Sequence, residues 1–303
     1  MNSLKGLVLG FIFVFAICGD ALATTVQVGN CKSGFVNFTT INAAITASPN
    51  GTTILVCPGP YPEQVMINKP ITIRGVSNLG ADAAIIVPPS GGMVPNTSSL
   101  APGNRPVAAQ VLASQIPVVL GAVNISNITV DGNNNGITGC DPDFIGIYYQ
   151  NASGTVNHVA AVNQILTSNL AGCQSGLGIF VQSDGTGGSS IVTVSNSHVQ
   201  NYQKNGITGN EVGTNVTFSG NSVYGQGPSP VIAGNAIQLG FGATGKIKGN
   251  TAMDNVFTPA TFAATGVLVF DAPNVTASGN IVGNNQLGIA FVSNSPGGAD
   301  NGK

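Results

Sequence analysis

The chain has 303 residues, of which 7% are charged, with a formal net charge of −2, 42 glycines and no tryptophan. So few cations provide no basic surface for nucleic acid or an anionic membrane, and both are excluded as partners. The length is sufficient for one large domain with a sizeable core.

The N-terminal segment is typical of an export signal. Lys5 precedes a short apolar run, and Ala21-Leu22-Ala23 has the small-residue pattern of a cleavage site. We therefore predict that residues 1–23 are removed. Residues 24–303 then form a mature domain without a membrane span, which is secreted, periplasmic or held at the cell surface. The alternative is a retained membrane anchor.

The mature chain begins with a segment that predicts one helix followed by short strands. Four apolar residues recur on one helical face of 38–49, namely Phe38, Ile41, Ala44 and Ile45. We expect this helix to cap the open end of a stack of β-strand coils, for which the repeats further along the chain provide the evidence. Three strands follow, at TILVC, EQVMI and ITIRG. Residues 88–106 are rich in Pro, Gly and Ser, and we expect a long loop that folds over the side.

The stretch DGNNNG at 131–136 has the spacing of a calcium-binding loop. Asp131, Asn133 and Asn135 would aim alternate oxygens at one Ca²⁺. Asp141 and Asp143 follow closely and could complete the oxygen shell. Against a calcium loop, its twelfth position is a proline rather than Glu. The alternative interpretation is therefore a solvated loop.

A phrase at 138–150, TGCDPDFIGIYYQ, nearly recurs at 171–182 as AGCQSGLGIFVQ. The number of residues between each copy and the apolar run before it is the same. We therefore expect the two copies at equivalent positions on adjacent coils. Because parallel strands lie about 4.7–4.9 Å apart, the phrase predicts a disulfide between Cys140 and Cys173. It also predicts stacking of Tyr148 on Phe180. Cys31 and Cys57 are the other cysteines of the mature chain, and whether they pair is left open.

The second half of the chain repeats itself. VTVSNSHV at 192, VTFSGNSV at 216, GKIKGNTA at 245 and VTASGNIV at 275 are separated by steps of 24, 29 and 30 residues. Short β-branched runs without intervening helical patterns indicate strands stacked as parallel coils around one column of apolar side chains. Asn221, Asn250 and Asn280 recur at one corner, where we expect them to bond neighbouring coils. The fold class is thus all-β, a single-stranded parallel β-helix.

Three acids are placed by the repeats at similar positions. Glu211 and Asp271 each stand five residues after the glycine of a second short run, and Asp184 stands six residues after such a glycine. We expect Asp184 and Glu211 on neighbouring coils, with Asp271 two coils beyond Glu211, as candidate catalytic carboxylates of a glycosidase. The alternative is a set of exposed loop acids with ordinary pKa values.

The segment FTTINAAITASPNGTTILVCPGPYPEQVMINKPITIRG at 38–75 resembles the N-terminal part of secreted right-handed parallel β-helix proteins of the pectin-lyase-like superfamily. Its Gly59-Pro60-Tyr61-Pro62-Glu63 matches a G-x-Y-x-E step of pectin methylesterases. DFIG at 143–146 is similar to the esterase D-F-I-F-G, whose Asp is the nucleophile, but the Q-D-T and G-R-x-W motifs are missing. The Asp-Asp, G-H-G and R-I-K motifs of polygalacturonases are also absent.

The resemblance implies a right-handed β-helix and leaves two functions open, because one fold hosts many activities. The first is a secreted protein that binds a uronate-containing, acidic polysaccharide and degrades it by calcium-assisted β-elimination or by hydrolysis. The second is a non-catalytic surface or adhesion protein. Besides Ca²⁺, the sequence predicts no cofactor.

Overall fold

The computed structural model describes residues 24–77, 83–186 and 188–294. The predicted export signal, residues 1–23, lies outside the described residues. Within the described ranges, the strands are numbered β1 to β27 in chain order and form three long sheets, to which each coil contributes one strand. No helix in these ranges is long and apolar enough to cross a membrane.

Sheet 1 stacks its strands in nearly unbroken chain order, one above another. They are, in spatial order, β2 (Val36–Phe38), β1 (Thr25–Val28), β3 (Thr53–Val56), β6 (Thr72–Gly75), β10 (Val123–Ser126), β13 (Gly154–Asn157), β16 (Ser190–Ser195), β19 (Thr214–Ser219), β22 (Thr244–Lys248) and β25 (Val275–Ser278).

Sheet 2 forms the second side of the coils. Its strands are β4 (Gly59–Pro62), β7 (Ala84–Val87), β11 (Ile128–Asp131), β14 (Ala160–Val162), β17 (His198–Gln200), β20 (Ser222–Ser229), β23 (Thr251–Phe257) and β26 (Ile281–Gly283).

Sheet 3 forms the third side and is the one that carries the groove described below. Its strands are β5 (Val65–Ile67), β9 (Pro106–Ser114), β12 (Asp143–Gln150), β15 (Leu177–Gln182), β18 (Asn205–Asn210), β21 (Asn235–Gly240), β24 (Thr265–Phe270) and β27 (Leu287–Val292). The short strand β8 (Thr97–Ser98) pairs with β9 antiparallel, whereas the other strand pairs of the described residues are parallel.

The core is a column of inward side chains between the three sheets. On sheet 1 the register aligns one inward residue from each coil, namely Ile54, Ile73, Ile125, Val156, Val194, Phe218 and Ile247. All of them are buried. Because alternate residues of a strand point to opposite faces, the polar residues between them face outward. The parallel β-helix predicted from the repeats is confirmed.

The segment predicted to be helical contains the helix α1 (Ile41–Ala47). The Thr40 side chain accepts a hydrogen bond from the Ala43 amide, as expected of an N-cap. The buried face of α1 packs near β1, β2, β3 and β5. Its role as a cap of the first coil stays a prediction. Two 3₁₀ turns, Val118–Leu120 and Ser168–Leu170, lie in loops between strands.

The four cysteines of the residues that the structure describes form two disulfides. Cys140 and Cys173 are joined with a Cα–Cα distance of 5.2 Å, which confirms the pairing predicted from the repeated phrase. Cys31 and Cys57, which the sequence left open, are also joined, with a Cα–Cα distance of 5.7 Å. The Asn corner is present as well: the Asn221 side-chain amide donates to Asn250 over 2.9 Å, and that of Asn250 donates to Asn280 over 3.0 Å.

Candidate functional site

A groove crosses the outward face of sheet 3, beside the loop that carries β8. Its volume is about 620 Å³. This size falls in the range of ligand-binding clefts. We call it the groove, and its lining residues are Ser99, Ala101, Pro102, Val107, Asp143, Ile145, Gln174, Leu177, Phe180, Gln182, Lys204, Asn205, Asn210, Glu211, Asn235, Gln238, Phe241, Leu268 and Phe270.

The loop is fixed to the sheet by two stacked glutamines. Thr97 Oγ1 lies 2.8 Å from Gln150 Oε1, and Gln150 Nε2 donates to the carbonyl of Ser98 over 2.6 Å. One coil further, Gln182 Oε1 accepts from the Leu100 amide over 2.9 Å. The stacked glutamines of the repeated phrase therefore hold one wall of the groove in place.

Apolar and aromatic side chains pack on the outward face beneath the loop. The ring centroids of Tyr148 and Phe180 are 5.1 Å apart and the rings are nearly parallel at 9°. This confirms the stacking predicted from the repeated phrase. The rings belong to a cluster outside the core column, which consists of Val107, Ala109, Leu112, Ile145, Tyr148, Leu177 and Phe180.

Asp143 stands at the start of β12 beside Arg105. Arg105 Nη2 lies 3.1 Å from Asp143 Oδ1 but donates its hydrogen bonds to Asp141 Oδ1 and to the carbonyl of Cys140. The buried Asp143 Oδ1 has no hydrogen-bond partner among the described residues. Burial raises the pKa of Asp143 to about 6, an effect that the Arg105 charge opposes and the Asp141 charge reinforces. Asp143 is therefore a carboxyl that can change protonation state near neutral pH.

Two further ionisable groups line the groove. Burial raises the pKa of Glu211 above its ordinary value, and a hydrogen bond from Gln182 partly offsets this. Burial lowers the pKa of Lys204, whose Nζ donates to the carbonyl of Ala233 over 2.8 Å. Both shifts have one cause, because water is partly removed from the charged forms inside the groove.

The Tyr148 hydroxyl is buried beside Gln182 of the groove wall. Burial is the main cause that raises the pKa of this hydroxyl, and the negative charges of Asp143 and Glu211 add to it. Tyr148 also donates a hydrogen bond to Gln182. Asp143 begins β12, and Glu211 directly follows β18, two coils away. Tyr148 itself is fully buried and does not line the groove.

The structure separates Asp184 from the other predicted catalytic acids. In the register of sheet 3, Gln182 pairs with Asn210, so Ser183 rather than Asp184 occupies the position of Glu211. Asp184 lies in a separate depression with Asn151. Its Oδ2 accepts from the Asn151 side chain over 3.1 Å, and its Oδ1 accepts from the Gly188 amide over 3.1 Å. These bonds hold the loop after β15.

Glu211 and Asp271 occupy one row, two coils apart, as expected from the spacing. Asn210, Gly240 and Phe270 pair across the three strands, and Glu211, Phe241 and Asp271 follow them. Asp271 Oδ1 accepts from the Asn294 amide over 2.8 Å. Asp271 does not line the groove. The catalytic roles of Asp184, Glu211 and Asp271 stay predictions.

The five residues predicted to bind calcium fall into two hydrogen-bonded groups. Asp131 Oδ1 accepts from the Asn133 amide over 3.0 Å, and Asn135 Oδ1 accepts from the Ile137 amide over 3.1 Å. Asp141 and Asp143 instead face Arg105. In the ranges that the structure describes, no three His, Cys, Asp or Glu side chains are grouped so that they could hold a metal. Calcium binding by these five residues stays a prediction.

A second cavity, of about 310 Å³, is lined by residues that include Ile165 and Ile232. Its ionisable groups are engaged by neighbours, since the Tyr202 hydroxyl donates to Asn255 over 2.7 Å and Asp254 accepts from Asn284. We therefore place the candidate site in the larger groove, which combines shifted ionisable groups with a ring-lined floor.

The sequence matches no protein-family model, and no curated protein matches it. Among solved structures, the chain is similar to a pectin methylesterase in complex with hexasaccharide VII, at 14% identity over 87% of this chain and 80% of that chain with a TM-score of 0.49. It is similar to pectin methylesterase PemA from Erwinia chrysanthemi at 13% identity, over 87% and 80% of the two chains, with a TM-score of 0.44. It is also similar to Escherichia coli YbhC at 14% identity, over 97% and 88%, with a TM-score of 0.46. Identities and scores this low carry no statement about function.

Two groove residues, Lys204 and Phe241, are absent from the sequence-based candidates. Lys204 belongs to no motif that would mark it. Phe241 was not singled out, although it stands five residues after Ala236, at the position that Glu211 and Asp271 hold in their own repeats. Counting all residue types at that repeat position, rather than acids alone, would have found it.

Proposed function

We propose that the groove binds a linear, uronate-containing polysaccharide. The observation that carries the proposal is an open cleft of about 620 Å³ with aromatic rings and many amide side chains on its walls. Amides can donate to and accept from sugar hydroxyls, and rings offer apolar surface to the C–H groups of a sugar. The groove runs from Lys204, before the start of β18, to Phe241, after the end of β21, which suits a linear ligand.

Lys204 favours an acidic ligand. Its ammonium group is partly buried in the groove wall, with one hydrogen bond to a backbone carbonyl. Because burial lowers the pKa of Lys204, the charged form is disfavoured in the free protein. A uronate carboxylate beside Nζ would return a favourable charge interaction to this site.

Binding is proposed rather than cleavage because the predicted acids do not converge. A glycosidase needs two carboxyls flanking the scissile bond. Asp184 lies outside the groove, and the two carboxyls that line the groove stand at opposite strand ends, Asp143 at the start of β12 and Glu211 after the end of β18. This observation favours the second candidate function, a non-catalytic surface or adhesion protein, over degradation. The disulfides are typical of an oxidising compartment and agree with the predicted export.

The test is affinity electrophoresis and calorimetry with polygalacturonate and alginate, using a neutral glucan for comparison. We expect the wild-type protein to bind the uronans and Lys204→Gln to bind them about tenfold more weakly. Lys246→Gln, which changes an exposed lysine on sheet 1, is the matched control and should bind as the wild type does. Folded wild-type protein that binds no uronan would contradict the proposal.

The same mixtures distinguish a binding protein from an enzyme. Unsaturated products are followed by ultraviolet absorbance, and hydrolysis by release of reducing ends. Binding without either product supports the binding function, whereas products would establish degradation. Added calcium and the variant Asp131→Ala then test the predicted metal.

A further inference from the structure

Phe241 places an exposed aromatic ring at one end of the groove. It follows β21 directly and is 45% exposed, unlike most rings of the sheet. Phe270, on the next coil, lies with its ring centroid 5.3 Å away and tilted by 56°. The Phe241 amide also donates to the Phe270 carbonyl over 2.9 Å. The ring is therefore supported from one side and open to a ligand on the other.

Carboxylates stand on both sides of this ring. Glu211 precedes Phe241 by one coil, and Asp271 follows it by one coil, in the same row. Adjacent strands are about 4.8 Å apart, so the two acidic positions are separated by roughly 10 Å with the ring between them. Of the two, Glu211 lines the groove itself.

This arrangement selects for a particular kind of sugar. A pyranose presents C–H groups on one face, which pack on an aromatic ring, and hydroxyls at its edge, which donate to a carboxylate. A uronate in the same place would bring its negative charge beside those of Glu211 and Asp271, and like charges repel. Lys204 lies before the start of β18, whereas Glu211 follows its end. Lys204 therefore lies at the end of the groove where Asp143 faces Arg105, whereas Glu211 and Phe241 lie at the other end.

We propose that Phe241 is a specificity-determining platform on which an uncharged pyranose unit of the bound glycan stacks, with Glu211 accepting hydrogen bonds from its hydroxyls. The inference rests on the proposed function and narrows it. The preferred ligand is then a mixed polysaccharide, in which a uronate unit reaches Lys204 and a neutral unit reaches Phe241.

The test compares oligosaccharides of galacturonate alone with fragments in which galacturonate alternates with a neutral sugar. Calorimetry is carried out on the wild-type protein, on Phe241→Asn and on Phe241→Tyr. Asn is chosen because the φ of Phe241 is 57°, a left-handed conformation that Asn adopts more readily than most other residues with a side chain. Phe262→Ala is the matched control, since Phe262 is 67% exposed and lies outside the groove.

We expect Phe241→Asn to bind the mixed fragments about tenfold more weakly and to lose less affinity for the pure uronate fragments. Phe241→Tyr keeps a ring and should bind both as the wild type does. Glu211→Gln should improve binding of the pure uronate fragments, because it removes a repulsive charge.

The outcomes separate the two claims. If folded Phe241→Asn binds the mixed fragments as tightly as the wild type, the platform is overturned while the proposed function stands. If the folded wild-type protein binds neither class of fragment, the proposed function itself fails. Thermal unfolding of each variant shows whether it is folded. Because Phe241→Tyr keeps an aromatic ring, its retained binding would show that the ring is what the mixed fragments require.

Discussion

At the scale of single residues, Asp143 shows how the fold sets a pKa. The strand β12 begins at this residue, and the register with β9 pairs it with Val107. The loop that carries Arg105 then covers it, so that one carboxylate oxygen is buried without a hydrogen bond. Removal of water outweighs the attraction of Arg105, and the pKa of Asp143 rises from 3.8 to about 6. An ionised Asp143 is consequently a cost to the folded state.

This cost predicts the pH dependence of the variant Asp143→Asn. The folded-state pKa is raised, so the stabilising contribution of Asp143 is fully present below pH 3.8 and is lost as the pH rises through about 6. Asn imitates the protonated acid at every pH. The melting temperature of Asp143→Asn should therefore match that of the wild type in acid and exceed it at neutral pH, with the difference developing mainly between these two values.

Asp141→Asn serves as the control, because Asp141 bonds to the same arginine but its side chain is 59% exposed. Between pH 3.8 and about 6, the difference in melting temperature between Asp141→Asn and the wild type should not grow as it does for Asp143→Asn. A difference between Asp143→Asn and the wild type that is the same at acid and at neutral pH would contradict the raised pKa.

At the scale of elements, α1 depends on one buried carboxylate. Glu63 Oε1 accepts from the Ile41 amide over 2.7 Å, and Glu63 Oε2 accepts from the Asn42 amide over 3.0 Å. The Asn42 side chain donates to the same oxygen. These amides belong to the first turn of the helix, where N–H groups have no partner within the helix. The final Glu of the G-x-Y-x-E step thus attaches the helix to the first coils.

Glu63→Gln should loosen this attachment. The amide side chain retains one acceptor, so at least one buried N–H group loses its partner, and we expect the free energy of unfolding to fall by about 1–3 kcal/mol. Urea unfolding measures the loss, and hydrogen exchange localises it. The amides of Ile41 and Asn42 should exchange faster, while the core strands of sheet 3 change little. Unaltered exchange at these two amides would show that Glu63 does not hold the helix.

The strands also show which contacts can be predicted from the sequence. The repeated phrase predicted the stacking of Tyr148 on Phe180 and the disulfide between Cys140 and Cys173, because a fixed spacing from the preceding strand determines the register of the next. The same counting placed Glu211 and Asp271 in one row. It did not align Asp184 with Glu211. Ser183 occupies the position equivalent to Glu211 on the preceding coil, and Asp184 begins the loop that follows.

The groove was harder to predict than the coils. Its wall depends on where the loop 88–106 lies, and that position is determined by hydrogen bonds to Gln150 and Gln182 from residues more than fifty positions away in sequence. Burial of Lys204 and Asp143 follows from the same loops and strands. A repeat pattern describes the strands that recur, whereas a loop that occurs once leaves no pattern to compare.

At the scale of the whole molecule, each coil is stabilised mainly by the coils above and below it. In the coil before the last described one, the inward residue Val267 of β24 is fully buried, at 0% exposure. In the last described coil the equivalent residue is Ile289 of β27, which pairs with Val267 and is 43% exposed. Burial, and with it the hydrophobic contribution to stability, therefore decreases toward this end of the chain.

This difference predicts unequal effects of matched substitutions in the 303-residue chain. Val267→Ala removes fully buried methyl groups and should lower the free energy of unfolding by about 2 kcal/mol. Ile289→Ala removes a larger side chain from a half-exposed position and should lower it by less than about 1 kcal/mol. Hydrogen exchange should show the same order, with the amides of β27 exchanging faster than those of β15 and β18. Equal losses at Val267 and Ile289, together with equal protection of these strands, would mean that the last coil is covered in solution, for example by another copy of the chain.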